Sequence, residues 1–322
     1  MSEPLAHAVR ERLASETEIE IVRSAQEFLN APRDAQTVSF LDDSSVAELK
    51  ATPPGPVIVI CEKPLQAAVG LLPTHPWLSH VVSAALFAYP LAKNHLANVT
   101  STLLGDRKLR LLDWLGADVE GRRVRLTHAN KRVVRLERMS EFFESKGVGA
   151  RTLQLLRDVA EELLTNAFYD APVAAGAVRR PISRTEDVAL PEEAACDLVY
   201  GCHEDLALVR LRDPFGALTR ERLLQVLARC ARTDMQVEVD ETMGGAGLGL
   251  WRVFSVATFV AISVLDNRHT EVLVGIRKRA ASGPRPFAFH LFFKDSGRPP
   301  RKWMLDSEAS EPSLTVEIDL QD

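Results

Sequence analysis

The 322-residue chain sets 39 Lys+Arg against 44 Asp+Glu, a formal net charge of -5 with a pI near 6.0, so it has no overall positive footprint for counterion release from nucleic acid. Its composition, 46% hydrophobic and 26% charged, is ordinary for a globular protein, and the length suits two domains better than one. The start MSEPLAHAVRERL has no apolar core of signal-peptide length, and no later run reaches the roughly 20 apolar residues of a membrane helix; the expectation is a cytoplasmic protein that makes no membrane contact.

Four cysteines, Cys61, Cys196, Cys202 and Cys230, match no common zinc or redox spacing and read as reduced, mostly buried thiols. From the N-terminus, a helix at about 5–15 is followed by a strand ETEIEIV, a helix at SAQEFLN, strands TVSFL and PVIVIC, the run HVVSAALFAY and a helix from Leu91. Short apolar runs alternating with helical patterns predict a parallel α/β sheet with helices on both faces. The basic stretch Arg122, Arg123, Arg125, Lys131, Arg132, Arg135, Arg138 reads as a solvated helix face, and RVVRLERMSEFFESKGV as an amphipathic helix ended by Gly147. The next apolar stripe, Leu156, Val159, Ala160, Leu163, Leu164, Ala167 and Phe168, predicts a strongly buried helix closed by Pro172. A hairpin CDLVYGC/LALVRLRD, the glycine-rich GGAGLGL, a helix WRVFSVATFV and strands AISVLDN, TEVLVGIR and FAFHLFF complete a helix-plus-mixed-sheet layer, and LTVEIDL can add an edge strand. The expected division is 1–108, a helical connector 109–150, a second domain 151–296 and a tail 297–322.

Three features of the second domain carry chemistry. Glu162 and Asn166 are four residues apart, so they project from one helix face one turn apart; a carboxylate and a carboxamide so placed can hold magnesium and polarise a water. Asp213 ends the strand LALVRLRD and is followed by Pro-Phe-Gly. Its carboxylate at the sheet edge can accept a hydrogen bond from an exocyclic amine such as that of adenine. GGAGLGL, from Gly244 to Leu250, opens into a helix, so its backbone can approach phosphate beside free N–H donors. The acidic segment before it excludes a Rossmann turn, and the absence of Gly-Lys-Ser/Thr excludes a P-loop.

In this order EELLTNA, RDPFGAL and GGAGLGL resemble the N, G1 and G2 boxes of the Bergerat-fold ATPases, the superfamily of histidine kinases, anti-sigma-factor kinases, gyrase and Hsp90. The resemblance implies ATP and magnesium as ligands, with Asn166 coordinating the metal, Glu162 as general base, and Asp213 and Thr270 on adenine. It also implies that Gly216, Gly245, Gly247, Leu248 and Gly249 shape the lid and meet the phosphates. Two positions depart from the pattern: Phe215 and Ala217 stand where the G1 box has glycines, and Tyr169 stands where histidine kinases often carry a basic residue.

His128 lies where a kinase phosphoacceptor would fall but is followed by Ala129 and Asn130, and reads as a surface histidine; His95 reads as a helix-face residue. The missing acceptor makes the domain resemble stand-alone anti-sigma-factor kinases, which act on a separate protein. The N-terminal unit resembles a degenerate response-regulator receiver, with Asp42 or Asp43 of TVSFLDD as candidate phosphoacceptor and Tyr89 at the lysine position of FAYPLAKNHL. The combined expectation is an ATP-Mg binding signalling regulator that phosphorylates or sequesters a regulatory protein. A nucleotide-gated scaffold without catalysis and an atypical histidine kinase using His128 are the alternatives, and a homodimer is left open.

Overall fold

The computed structural model describes residues 3–13, 25–31, 37–49, 51–105, 114, 120–203, 205–231, 248–279, 284–303 and 317–319. The chain is mixed α/β and forms two compact units, Met1–Gly116 with Ala281–His290, and Ala117–Ala280 with Leu291–Asp322.

The first unit runs α1 (Glu3–Leu13), α2 (Ala25–Asn30), β1 (Ser39–Asp42), α3 (Asp43–Glu48), β2 (Val57–Cys61), α4 (Leu65–Gly70), β3 (His80–Ser83), a 3-10 turn at Ala84–Ala88 and α5 (Leu91–Leu104). β1, β2 and β3 are parallel, with Ser39 beside Val57 and Ile58 beside His80. Parallel neighbours need a crossover connection, supplied by α3 and α4. All five residues of β2 are buried, which is why VIVIC is uninterrupted rather than alternating. HVVSAALFAY divides between β3 and the 3-10 turn, and the expected strand ETEIEIV lies outside the described residues. A strand from far along the chain completes the sheet: Ala288–His290 pairs antiparallel with β3, His80 opposite His290.

The second unit contains β4 (Glu120–Leu126), α6 (Arg132–Ser145), α7 (Ala150–Thr165), a π-helical turn at Asn166–Asp170, α8 (Ala171–Ala174), β5 (Cys196–His203), β6 (Leu206–Asp213), α9 (Arg220–Ala231), α10 (Leu248–Val256), β7 (Phe259–Leu265), β8 (His269–Arg277), the later part of β9 (Ala288–Lys294) and β10 (Glu317–Asp319). Six of its strands pair antiparallel in the order β7-β8-β6-β5-β4-β10, so LTVEIDL does add an edge strand. Arg132, Arg135 and Arg138 of the basic stretch lie on helix α6 as expected, but Arg122, Arg123 and Arg125 correct the expected helix face: they lie on strand β4, with Val124 and Leu126 buried and Arg123 and Arg125 exposed. Period two, not the helical period, organises these arginines.

α6 ends as expected, with Gly147 at φ 72° and the Val148 N–H donating to Phe143 O at 3.0 Å, a left-handed terminator that satisfies the last carbonyls. Pro172 does not end the following helix. The chain widens into the π turn and Pro172 sits in the first turn of α8, where a missing N–H costs little. The helix at WRVFSVATFV stops at Val256, and its Phe259 and Val260 belong to β7.

The register places Tyr200, Val209, Val274 and Val260 in one row, and the Phe143 ring of α6 lies 5.8 Å from that of Tyr200. α7 packs on α6, β6 and β8, and α10 on α7 and β7. The core of the second unit therefore lies between the Tyr200 face and these helices.

In the first unit, Nε2 of His95 and Nε2 of His290 share a 2.9 Å hydrogen bond, with the Trp114 ring centred 5.1 Å from that of His95. Burial pushes His95 down to about 3 and His290 well below the usual histidine value. The unfolded chain takes up these protons near pH 6.5 and the folded chain does not, so stability is complete above that pH and falls as pH drops. Thermal unfolding measured from pH 7.5 to 5 is expected to show a falling Tm, with His95 alone contributing roughly 2 kcal/mol at pH 5. His95→Gln should flatten the dependence; an unchanged slope would contradict the assignment.

Candidate functional site

Asp213 and Thr270 are direct cross-strand partners of β6 and β8. Alternation from Val209 turns both side chains to the helix-covered face, and both are buried. Asp213 Oδ1 accepts from the N–H of Phe215 at 2.9 Å and of Gly216 at 3.4 Å. Burial raises Asp213 to about 6 even though these amides and hydrogen bonds from Thr270 favour its charged form. Gly216 is at φ 63°, and a Cβ there would lie 2.6 Å from Arg268 N and 2.8 Å from His269 N. Its carbonyl accepts from Asn267 N at 3.2 Å, which ties this turn to the β7–β8 turn. Phe215, at a position where the G1 box has glycine, is buried, with the Trp303 ring 5.1 Å away.

On α7, Glu162 lies against the first turn of α10 so closely that a Cβ on Gly249 would overlap its carboxylate. Only glycine permits that approach. Burial pushes the Glu162 carboxyl up, opposed by Arg184 and by a hydrogen bond from Asn166, while Oε1 is buried with no hydrogen-bond partner. Asn166 opens the π turn and Asp170 closes it; π turns recur at functional sites because they re-aim side chains. A cavity of about 290 Å³ adjoins Glu162, with Asp158, Arg184, Gly249 and Arg252 also in its wall. Arg252 pairs with Asp158, whereas Arg184 Nη2 is 3.8 Å from Asp170 Oδ2. Burial also raises the Asp170 carboxyl, opposed by Arg184 and Arg222.

The residues expected to form one site thus gather in two groups, Glu162 with Asn166 and Gly249, and Asp213 with Gly216 and Thr270. The cavity adjoins the first group, and Asn166, Asp213 and Thr270 are not in its wall. Gly245 and Gly247 lie outside the described residues, and Leu248 is described only as the first residue of α10. Tyr169 is buried, donates its hydroxyl to Glu186 O at 2.9 Å and carries the Arg132 guanidinium over its ring at 4.9 Å.

The phosphoacceptor candidates are all engaged locally. Asp42 caps α3, accepting from Ser45 N at 2.8 Å and Ser44 Oγ at 2.9 Å; burial alone would raise its carboxyl, but these hydrogen bonds hold it at about 2. Asp43 is buried with Lys63 Nζ at 3.3 Å. His128 pairs with Thr127 Oγ1 at 2.9 Å and bridges to Ala189. Cys61, Cys196 and Cys202 are buried free thiols, with burial raising Cys61 to about 11. Sequence reasoning missed Asp170, Arg184 and Trp303. Asp170 continues the four-residue spacing of Glu162 and Asn166, whereas no local pattern marks the other two.

No model of a known protein family matches the chain, and no curated protein matches it in sequence. Among the described residues no group of three or more His, Cys, Asp and Glu side chains is placed to hold a metal, and no helix is long and apolar enough to cross a membrane.

Two stability predictions follow from the Asp213 turn. Gly216→Ala should cost about 2–4 kcal/mol in denaturant unfolding, because the clash is with backbone that cannot swing aside. Asp213 has a raised carboxyl, so its ionisation opposes folding: its contribution is most favourable below about pH 4 and worsens as pH rises through 6. Asp213→Asn keeps the acceptor without the charge and should raise Tm at pH 8 by the equivalent of about 1–3 kcal/mol, with little effect at pH 4. Equal destabilisation at both pH values would show that the charge is not what burial penalises.

Proposed function

We propose that the second unit binds ATP with magnesium, and that the protein is a cytoplasmic signalling regulator that phosphorylates or sequesters a partner regulatory protein. The observation that carries this reading is the buried Asp213 carboxylate, aimed by two backbone amides and set in register with Thr270. A desolvated acceptor held in this way favours a ligand amine strongly, since leaving it unmatched is costly. Thr270 beside it offers both a donor and an acceptor, which suits the edge of an adenine ring.

Glu162, Asn166 and the cavity supply the other end. Oxygen donors suit a hard cation, and magnesium takes few protein ligands, filling the rest with water and phosphate oxygens. The buried Oε1 of Glu162 and the neighbouring Asn166 carboxamide fit that role. Magnesium, when bound, would neutralise phosphate charge. Burial raises the Glu162 carboxyl, which makes it a readier proton acceptor than a surface carboxylate, the direction a general base needs.

A second reading, a nucleotide-gated scaffold without turnover, is favoured by Phe215. Its burial beside Trp303 links the adenine end to the C-terminal segment where glycines would leave the turn unencumbered.

ATP and ADP binding by calorimetry, with and without magnesium, tests the nucleotide reading: Asp213→Asn should weaken both by about tenfold or more, and unchanged affinity would remove it. For the wild type, affinity should fall as pH drops through about 6, where Asp213 protonates. Turnover lost in Glu162→Gln with binding retained would favour the kinase reading, and binding without turnover in the wild type would favour the scaffold.

A further inference from the structure

We infer that residues 295–303 form a strap that regulates the nucleotide site: Trp303, seated on Phe215, positions the turn that aims Asp213, so docking of the strap and binding of adenine reinforce each other. This rests on the ATP-binding reading above. The root of the strap is fixed beside that same turn. The Asp266 N–H donates to Lys294 O at 2.9 Å, and the Asn267 N–H donates to Gly216 O at 3.2 Å, so the β7–β8 turn holds both the end of β9 and the Asp213 turn. Beyond Lys294 the chain turns: Asp295 Oδ1 accepts from Gly297 N at 2.8 Å, Ser296 Oγ accepts from Arg298 N at 3.2 Å, and Gly297 has φ 60°. Pro299 and Pro300 follow, and their fixed φ stiffens the segment. Residues 297–302 are exposed, whereas Trp303 is half-buried. Its ring lies 5.1 Å from that of the buried Phe215, at an interplanar angle of 55°, within the range of favourable aromatic pairs. The Arg301 guanidinium stands 5.7 Å from the Trp303 ring centre, a cation–π contact inside the strap itself.

Phe215 converts this contact into an effect on Asp213. Its ring packs on Trp303 while its backbone N–H donates to Asp213 Oδ1 at 2.9 Å, with Gly216 N as a second donor at 3.4 Å. Gly216 is closed in by the backbone of Arg268 and His269, so the turn is held by the β7–β8 turn at Gly216 and by Trp303 at Phe215. A glycine at position 215 would offer the strap no ring to hold. A ligand that needs the aimed carboxylate favours the docked strap, and by linkage docking raises the affinity for that ligand by the same factor. The two prolines reduce the freedom that the strap loses on docking, which lets one aromatic contact hold it.

Equilibrium binding of ATP and ITP, each with magnesium, to the full chain tests the coupling, because hypoxanthine carries an oxygen where adenine carries its exocyclic amine. Trp303→Ala should weaken ATP by roughly 5- to 30-fold and ITP by less than about threefold, so that the preference for adenine falls. Trp303→Phe keeps a ring and should restore most of that preference. In the wild type, acrylamide quenching of Trp303 fluorescence, read as the difference from Trp303→Phe, should fall when adenosine binds. Equal weakening of ATP and ITP by Trp303→Ala, no change in either, or quenching that adenosine leaves unaltered overturns the inference while leaving nucleotide binding intact. A wild-type chain that binds ATP no better than ITP, or binds neither, overturns the reading of Asp213 as an adenine acceptor and this inference with it.

Discussion

Burying a carboxylate at the end of a strand is costly, and the second unit is organised around the groups that make the burial of Asp213 tolerable. Two amides of the following turn point at its oxygen, which is possible only if the chain reverses at Gly216 in the left-handed region. The reversal in turn needs a position without a Cβ against the backbone of Arg268 and His269, and so locks β6 to the β7–β8 turn. Register, turn and buried carboxylate are one solution to one desolvation problem.

Close approach plays the same role at the other group. α7 and α10 meet where Glu162 faces Gly249, so the carboxylate is withdrawn from water by a neighbouring helix rather than by its own burial stripe. The π turn after α7 changes the pitch just where Asn166 and Asp170 stand, bringing the carboxamide to Glu162 while leaving Asp170 to Arg184. Chain segments distant in sequence thus meet at one cavity whose wall carries both signs of charge.

Much of the framework was legible because apolar periodicity and turn residues act locally. The boundaries of β6 at Leu206 and Asp213, and the Gly147 stop, follow from residues within a few positions. β4 was hidden because Arg122 takes an inward position opposite Tyr200 and the outward Gly121 is buried as well, so only Val124 and Leu126 reveal the alternation. The π turn left no trace because Ala167 and Phe168 stay buried whether the pitch is 3.6 or wider. Of the candidate site, Asp213, Glu162 and Asn166 stood out through order and spacing and Thr270 only through the family resemblance, whereas Arg184 and Trp303 acquire their neighbours only through tertiary folding.

The antiparallel strand beside β3 has a consequence for biogenesis. The first unit takes Ala288–His290 into its sheet, and His290 joins His95 in its interior, so its hydrogen-bonding edge and its core are both completed by residues near the far end of the chain. Translation releases N-terminal segments first, at about 5–20 residues per second, and no nascent fragment ending before Ala288 holds the finished unit. The two halves of this protein therefore cannot be inherited or exchanged as consecutive cassettes: each unit is built from two separated stretches of chain, and a recombination event that keeps either unit whole must cut the gene at all three junctions between them.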